Sequence, residues 1–279
     1  MPGARLGQHF LRDQGALRAV AAALELAPGD TIIEIGAGHG ELTEELMSEK
    51  WKVKSGEKIQ VLAIEKDSRL ARTLREKYSR SRNIEIVEGD VRTVLPSLLT
   101  TSHSSLATRH SPLVYKLCGN IPYYLTGFLF RIVSELEPLP ARAVFTIQKE
   151  VAERIDAKPP HMNQLAASVQ FWAEPKIIRV VPRSAFSPAP KVDSAILLLN
   201  PVIKKGERGE KGERGKYYAA VHALFSQPRK TILNNVAAAL HVPKEEAAHT
   251  LHEAGIAPLA RAQNLSVADI KKISSLFPL

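Results

Sequence analysis

The 279-residue chain is 44% hydrophobic and 24% charged, which excludes wholesale disorder, and no apolar run approaches the ~18 residues of a membrane-spanning helix. A single cysteine excludes an internal disulfide framework and a cysteine-rich zinc site, and fits a reducing, cytoplasmic setting. The 38 Lys+Arg against 29 Asp+Glu leave a formal charge of +9, the balance expected of a protein that meets a polyanion. In chain order, Asp13 reads as the N-cap of a helix whose inner face carries Leu17, Val20, Ala21 and Leu24, ended by Pro28-Gly29. Short runs rich in Ile, Val and Leu follow at 31–35, 59–64, 84–87, 113–117 and 143–147, the pattern of strands covered on both faces. Helical patterns at 41–48, 68–78, 127–136 and 149–155 lie between them, so the alternation predicts an α/β fold with a mostly parallel sheet. Two further extended segments, 176–181 and 192–199, are joined by a Pro-rich link without a helix and suit an antiparallel sheet edge.

The character changes after Asn200. Residues 204–216 (KKGERGEKGERGK) hold six basic and three acidic side chains and no apolar one, which reads as a mobile charged linker. Its Gly-x-y period is too short and lacks the proline of a collagen helix. Helical patterns at 217–225, 231–240, 244–254 and 267–276 then predict a small all-α domain. The expected organisation is a catalytic domain at 1–200, a linker at 201–216 and a helical domain at 217–279. Residues 183–279 carry 14 Lys+Arg against 8 Asp+Glu, so most of the excess charge sits in the tail. A polar stretch at 100–111 reads as a surface insertion.

Chemistry gathers at the predicted strand ends. Glu34-Ile35-Gly36-Ala37-Gly38-His39-Gly40 follows the first of these strands and opens a helix, a loop that lets backbone approach a ligand. A dinucleotide fingerprint would need glycine where Glu41 stands, and Glu41 at the helix start repels a pyrophosphate. A cofactor with an adenosine and an amino-acid tail but no phosphate fits better, and S-adenosyl-L-methionine has that composition. Glu65 ends the next strand, where a carboxylate can accept from both ribose hydroxyls; a solvated pair with Lys66 is the bland alternative. Asp90 stands past the third strand, either accepting from the adenine amine or capping a helix that begins at Val91.

Asn120-Ile121-Pro122-Tyr123 follows the fourth strand at the same edge. An adenine amine is a poor nucleophile because its lone pair is delocalised into the ring. An amide oxygen from Asn120 and the main-chain carbonyl of Ile121 can each accept one of its N–H groups and turn the lone pair toward an incoming methyl group. Pro122 holds Ile121 extended, and Tyr123 offers a ring for an unstacked base. An ordinary Asn-Pro turn remains the alternative. Cys118 reads as a buried small apolar residue, and His249 with His252 lacks a third ligand for a metal.

With these motifs in place the chain resembles the S-adenosylmethionine-dependent ribosomal RNA adenine N6-dimethyltransferases, most closely the small-subunit type. The resemblance runs from about Leu6 to Leu276. It rests on the segment from Leu6 to Leu11 (LGQHFL), the glycine loop, Glu65, Asp90, Asn120-Ile121-Pro122-Tyr123, the Gln148-Lys149-Glu150-Val151 stretch and the segment from Phe186 to Ser194. In the tail it adds the segments from Phe225 to Thr231 and from Arg261 to Ser266. It implies a Rossmann-like class I methyltransferase sheet with a small all-α C-terminal domain, and S-adenosyl-L-methionine as cofactor. It places His9, Leu11, Gly36, Gly38, Glu65, Asp90 and Asn120 around that cofactor. Asn120, Ile121, Pro122 and Tyr123 fall on the catalytic motif, and Phe186 on a second aromatic wall. Arg229 and Lys230 are implied as RNA phosphate contacts, with a solvated helix face as the alternative for either one.

Two departures stand out. His9 replaces the family's usual asparagine, so a contact made through an amide must come from an imidazole or a main-chain atom, and Pro228 stands where a basic residue is common. The implied substrate is a pair of adjacent adenosines in the 3′-terminal hairpin of small-subunit (16S) ribosomal RNA, each receiving two methyls, with the protein a monomer free of membrane. The rival readings are a large-subunit adenine methyltransferase, disfavoured by the tail motifs, and a non-catalytic assembly factor, disfavoured by the intact Glu65, Asp90, Asn120 and Tyr123. A nicotinamide dehydrogenase is disfavoured by Glu41.

Overall fold

The computed structural model describes residues 8–48, 59–100, 114–202 and 211–276. The polar stretch at 101–111 and residues 204–210 of the charged segment lie outside the described residues. The chain divides into two units, residues 1–152 with 175–201, and residues 153–174 with 202–279.

In the first unit, β1 (Phe10–Leu11) leads into α1 (Gln14–Ala23), and the side chain of Asp13 caps that helix by accepting the Ala16 N–H at 2.6 Å. Ala16, Leu17, Val20 and Ala21 form its buried stripe, packed in one core with Ile32, Val144 and Ile196 of the sheet. Strand and helix then alternate: β2 (Thr31–Ile35), α2 (Glu41–Leu46), β3 (Gln60–Glu65), α3 (Ser68–Lys77), β4 (Ile84–Glu88), α4 (Val91–Thr100), β5 (Tyr115–Asn120), α5 (Thr126–Glu135), β6 (Arg142–Gln148) and α6 (Lys149–Asp156). After β7 (Ala173–Val181), the short β8 (Phe186–Ser187) pairs antiparallel with β1, setting Leu11 opposite Phe186. β9 (Ser194–Pro201) runs antiparallel to β6, with Phe145 opposite Leu197.

Among the described residues the main sheet has the order β4-β3-β2-β5-β6-β9-β7. β2 pairs in parallel with both β3 and β5, so the chain winds outward in opposite directions from β2 and β5. The crevice at the carboxyl ends of those two strands is where such sheets bind ligands. The expected strand at 113–117 is displaced to Tyr115–Asn120, because Gly119 and Asn120 stay in register with Phe145 and Thr146 of β6 although neither is apolar. Asn120 is therefore the last residue of its strand rather than the start of a loop.

The second unit holds α7 (Gln164–Gln170), α8 (Lys211–Ser226), α9 (Ile232–Leu240), α10 (Lys244–Glu253) and α11 (Val267–Ser274). Residues 153–174, read from sequence as part of the catalytic domain, belong here. Met162, Ala166 and Ala167 share a core with Tyr217, Val221 and Leu224, and the Tyr217 hydroxyl donates to the Ala167 carbonyl at 2.9 Å. The charged segment is also shorter than expected as a linker, since α8 already begins at Lys211. α11 starts with a reciprocal cap between Ser266, the last residue of one of the tail motifs, and Asp269. No helix among the described residues is long and apolar enough to cross a membrane.

Candidate active site

The glycine loop leaves β2 with Gly36, Gly38 and Gly40 at φ +73°, +61° and +90°, backbone that side chains other than glycine rarely adopt. Its shape is fastened from β3. The Ile64 carbonyl accepts from Gly36 N–H at 2.8 Å, and Glu65 Oε2 accepts from Gly38 N–H at 2.8 Å. Glu65 Oε1 takes the Asp67 N–H at 2.8 Å, so each carboxylate oxygen already has one main-chain donor. Burial raises its pKa. The sequence reading gives Glu65 a ribose; the structure adds the task of holding the loop. Phe10 lies against the loop, since a Cβ on Gly38 would come within 3.0 Å of its ring.

Glu34, beneath the loop, is buried and accepts from the Thr43 hydroxyl at 2.6 Å, tying β2 to α2. Burial pushes its carboxyl from the ordinary 4.5 up to about 8. Between those values the unfolded chain has released the proton while the native state still holds it, so stability falls as pH rises through this window and levels off above it. The contribution approaches ~1.4 kcal/mol per pH unit. Glu34→Gln is expected to flatten the fall in the thermal unfolding midpoint between pH 6 and about pH 8; parallel curves for the two proteins would contradict this origin.

Helix α2 opens on Glu41 and Glu44, and Glu41 pairs with Arg12 at 3.1 Å. The helix start is thus already supplied with carboxylates, which leaves it unfit for a phosphate. Past β4, Asp90 makes the helix cap and also lines the cavity. Its Oδ1 caps α4 by accepting Arg92 N–H at 3.0 Å, and Oδ2 meets Arg92 Nη2 at 2.6 Å and Lys66 Nζ at 2.9 Å. The guanidinium of Arg92 holds this carboxyl well below its usual range.

Asn120 Nδ2 donates to the His9 main-chain carbonyl at 2.7 Å. The reversed amide would set oxygen against oxygen, so Oδ1 is the atom presented to a ligand. At position 9 the main-chain carbonyl thus serves Asn120, while the ring meets the Pro188 carbonyl through Nδ1 at 2.8 Å. Ile121 donates its N–H to Thr146 O at 3.0 Å, which pins the turn that Pro122 extends. The Tyr123 hydroxyl bonds Ser194 Oγ at 3.0 Å, fixing the ring, and the His9 ring centroid lies 5.9 Å away.

His9, Gly36, Gly38, Glu65, Asp90, Asn120, Ile121, Pro122, Tyr123 and Phe186 line one cavity that opens to solvent. Leu11 is corrected: it is buried in the core with α1 and is not among the residues that line the cavity. Arg229 and Lys230 are exposed on the turn joining α8 and α9 of the second unit. Cys118 is fully buried. Lys66, Arg92, Tyr124 and Phe10 also line the cavity without having been singled out; the only signal for them was proximity in sequence to Glu65, Asp90, Tyr123 and His9. Gly119 was missed as well. A Cβ there would lie 2.3 Å from the Ile35 carbonyl oxygen, so only glycine lets β5 approach β2 beside the loop.

Two carboxylates, a loop of positive-φ glycines and a helix start closed to phosphate fit a cationic, phosphate-free adenosine cofactor. Glu65, Asp90, Gly36 and Gly38 are the residues that would hold it. With the reversal of strand order beside them, they define a class I methyltransferase dependent on S-adenosyl-L-methionine. The family model described as ribosomal RNA adenine dimethylase matches residues 3–278, and the chain belongs to that family. It is 37% identical over 272 residues to "Ribosomal RNA small subunit methyltransferase A" of Dehalococcoides mccartyi, covering 98% of this chain and 87% of the relative. The protein of the same name from Pelotomaculum thermopropionicum is 36% identical, covering 99% and 91%. Among solved structures, a dimethyladenosine transferase from Plasmodium falciparum matches with TM-score 0.73 and 25% identity over 95% of this chain and 96% of that one. The 23S rRNA methyltransferase ErmE matches with TM-score 0.69 and 26% identity over 95% and 98%.

Proposed function

We propose that this enzyme transfers methyl groups to the N6 amines of two adjacent adenosines in the 3′-terminal hairpin of small-subunit ribosomal RNA, acting in the cytoplasm as a monomer. The observation that carries the reading is the Asn120 amide, whose Nδ2 is held by the His9 carbonyl, leaving Oδ1 as its acceptor in the cavity that Asn120 lines with Glu65 and Asp90. When bound, S-adenosyl-L-methionine supplies an electrophilic methyl group on a sulfonium. Asn120 Oδ1 and the Ile121 carbonyl accept the two N–H groups of the target amine, favouring the geometry in which its lone pair is localised. Tyr123 and Phe186 hold the unstacked adenine between apolar surfaces. No strong base is needed, because alkylation makes the amine proton acidic and solvent can take it. For the second transfer only one N–H remains, so one acceptor suffices while the first methyl occupies the other's place. Arg229 and Lys230 contact RNA phosphates.

The test is incubation of the protein with labelled S-adenosylmethionine and small subunits lacking these methyls, followed by nucleoside analysis. Label in N6,N6-dimethyladenosine of the small-subunit RNA is the expected result. Label confined to large-subunit RNA would transfer the assignment to the other ribosomal subunit.

A further inference from the structure

Two large aromatic side chains stand in solvent, one lining the cavity and one against a residue that lines it. Tyr124, which lines it, is 65% exposed, and Phe128, four residues on in α5, is 46% exposed. Arg92, another lining residue, places its guanidinium carbon 6.0 Å from the Phe128 ring centroid, and it shares the cavity lining with Tyr124. Asp90 fixes that guanidinium through both Nε and Nη2, at 2.9 and 2.6 Å. Tyr123 turns into the cavity and bonds Ser194, while Tyr124 beside it turns out. Aromatic faces next to a held guanidinium are what an unpaired nucleobase stacks on, and Arg92 with Lys66 supplies positive charge for the adjoining phosphates.

A strand that turns one base into the cavity also leaves that base's neighbour without its stacking partner. We propose that Tyr124 and Phe128, with Arg92 beside them, form a second stacking surface that holds the nucleobase adjacent to the target adenosine. This rests on the reading that an adenine occupies the cavity. It gives the enzyme a way to keep a neighbouring adenosine in place while the first is modified.

The test pairs kinetics with a fluorescent base. On small subunits lacking the methyls, Tyr124→Ala/Phe128→Ala is expected to raise KM about 10- to 100-fold, with a much smaller change in kcat, and Tyr124→Phe to restore most of the loss at that position. RNA hairpins with 2-aminopurine beside the target should be quenched by the native protein and not by the double variant. With 2-aminopurine at the target itself, the response should be the same for both. An unchanged KM, or neighbour quenching that survives in the double variant while the target probe responds normally, overturns the stacking surface and points to a protein partner for these aromatics. A target probe silent in the native protein instead overturns the base-in-cavity reading, and the neighbour assignment with it.

Discussion

Asn120→Ala is expected to lower kcat about a hundred- to a thousandfold, the usual consequence of removing one preorganised polar group from a reacting centre. Two effects coincide in the loss. The oxygen that accepts the target N–H is gone, and the His9 carbonyl loses the Nδ2 donor that met it at 2.7 Å. Asn120→Asp separates them. It restores an acceptor of the same shape but puts carboxylate oxygen where Nδ2 met the His9 carbonyl, so the side chain must rotate or the segment bearing His9 must lift. The aspartate variant should therefore also be slow, despite being nearly isosteric. Single-turnover methyl transfer measures the chemistry, and calorimetric titration of S-adenosylmethionine should show a far smaller change in donor affinity. Turnover of the alanine variant within a few-fold of the native protein would remove Asn120 from the reaction.

That side chain shows what was legible beforehand. Apolar runs marked β2 at 31–35 without error, and the acids after the next two runs marked Glu65 and Asp90 as facing one edge. The reading weakens where the physics is not local. Nothing in the segment containing His9 says that its main-chain carbonyl reaches Asn120, 111 residues away in sequence. Glu65 looked like a ligand residue because it ends a strand, whereas its contact with Gly38 exists only once the loop has folded back on β3. Leu11 shares a motif with cavity residues, but its apolar side chain is buried with the core, as that character argues.

The helical unit repeats the lesson. α7 was not read as a helix, being only seven residues long and following Pro159-Pro160, although Asn163 signalled its start by accepting from Ala166 N–H at 3.0 Å. Its assignment to the helical unit depends on packing with Tyr217 from a segment some fifty residues later, which no local pattern records. The start of α8 at Lys211 lay inside a segment whose glycines read as linker, yet Lys, Glu and Arg are good helix formers once the following apolar turns have partners.

Gly119 carries the sharpest consequence of this non-local packing. Gly119→Ala would place a Cβ 2.3 Å from Ile35 O and 3.2 Å from Ile35 C, both main-chain atoms of the adjacent strand with no rotamer to give way. Relief requires β5 and β2 to separate by about 1 Å at their carboxyl ends, given that such contacts are normally no closer than 3.4 Å. The expected cost is about 2–4 kcal/mol of stability. Catalysis should suffer further, because the displaced atoms adjoin Gly36 on one strand and Asn120 on the other. Gly127→Ala provides the contrast within the same unit. A Cβ there meets nothing within 4 Å, and the position lies in α5, where alanine is expected to add about 0.5–1 kcal/mol. Chemical denaturation of both variants, with methyl transfer measured well below each transition, distinguishes strand separation from a general intolerance of added methyl groups. Equal stability in the two would mean that β2 and β5 can part beside the glycine loop without penalty, and that the loop's position does not depend on their close approach.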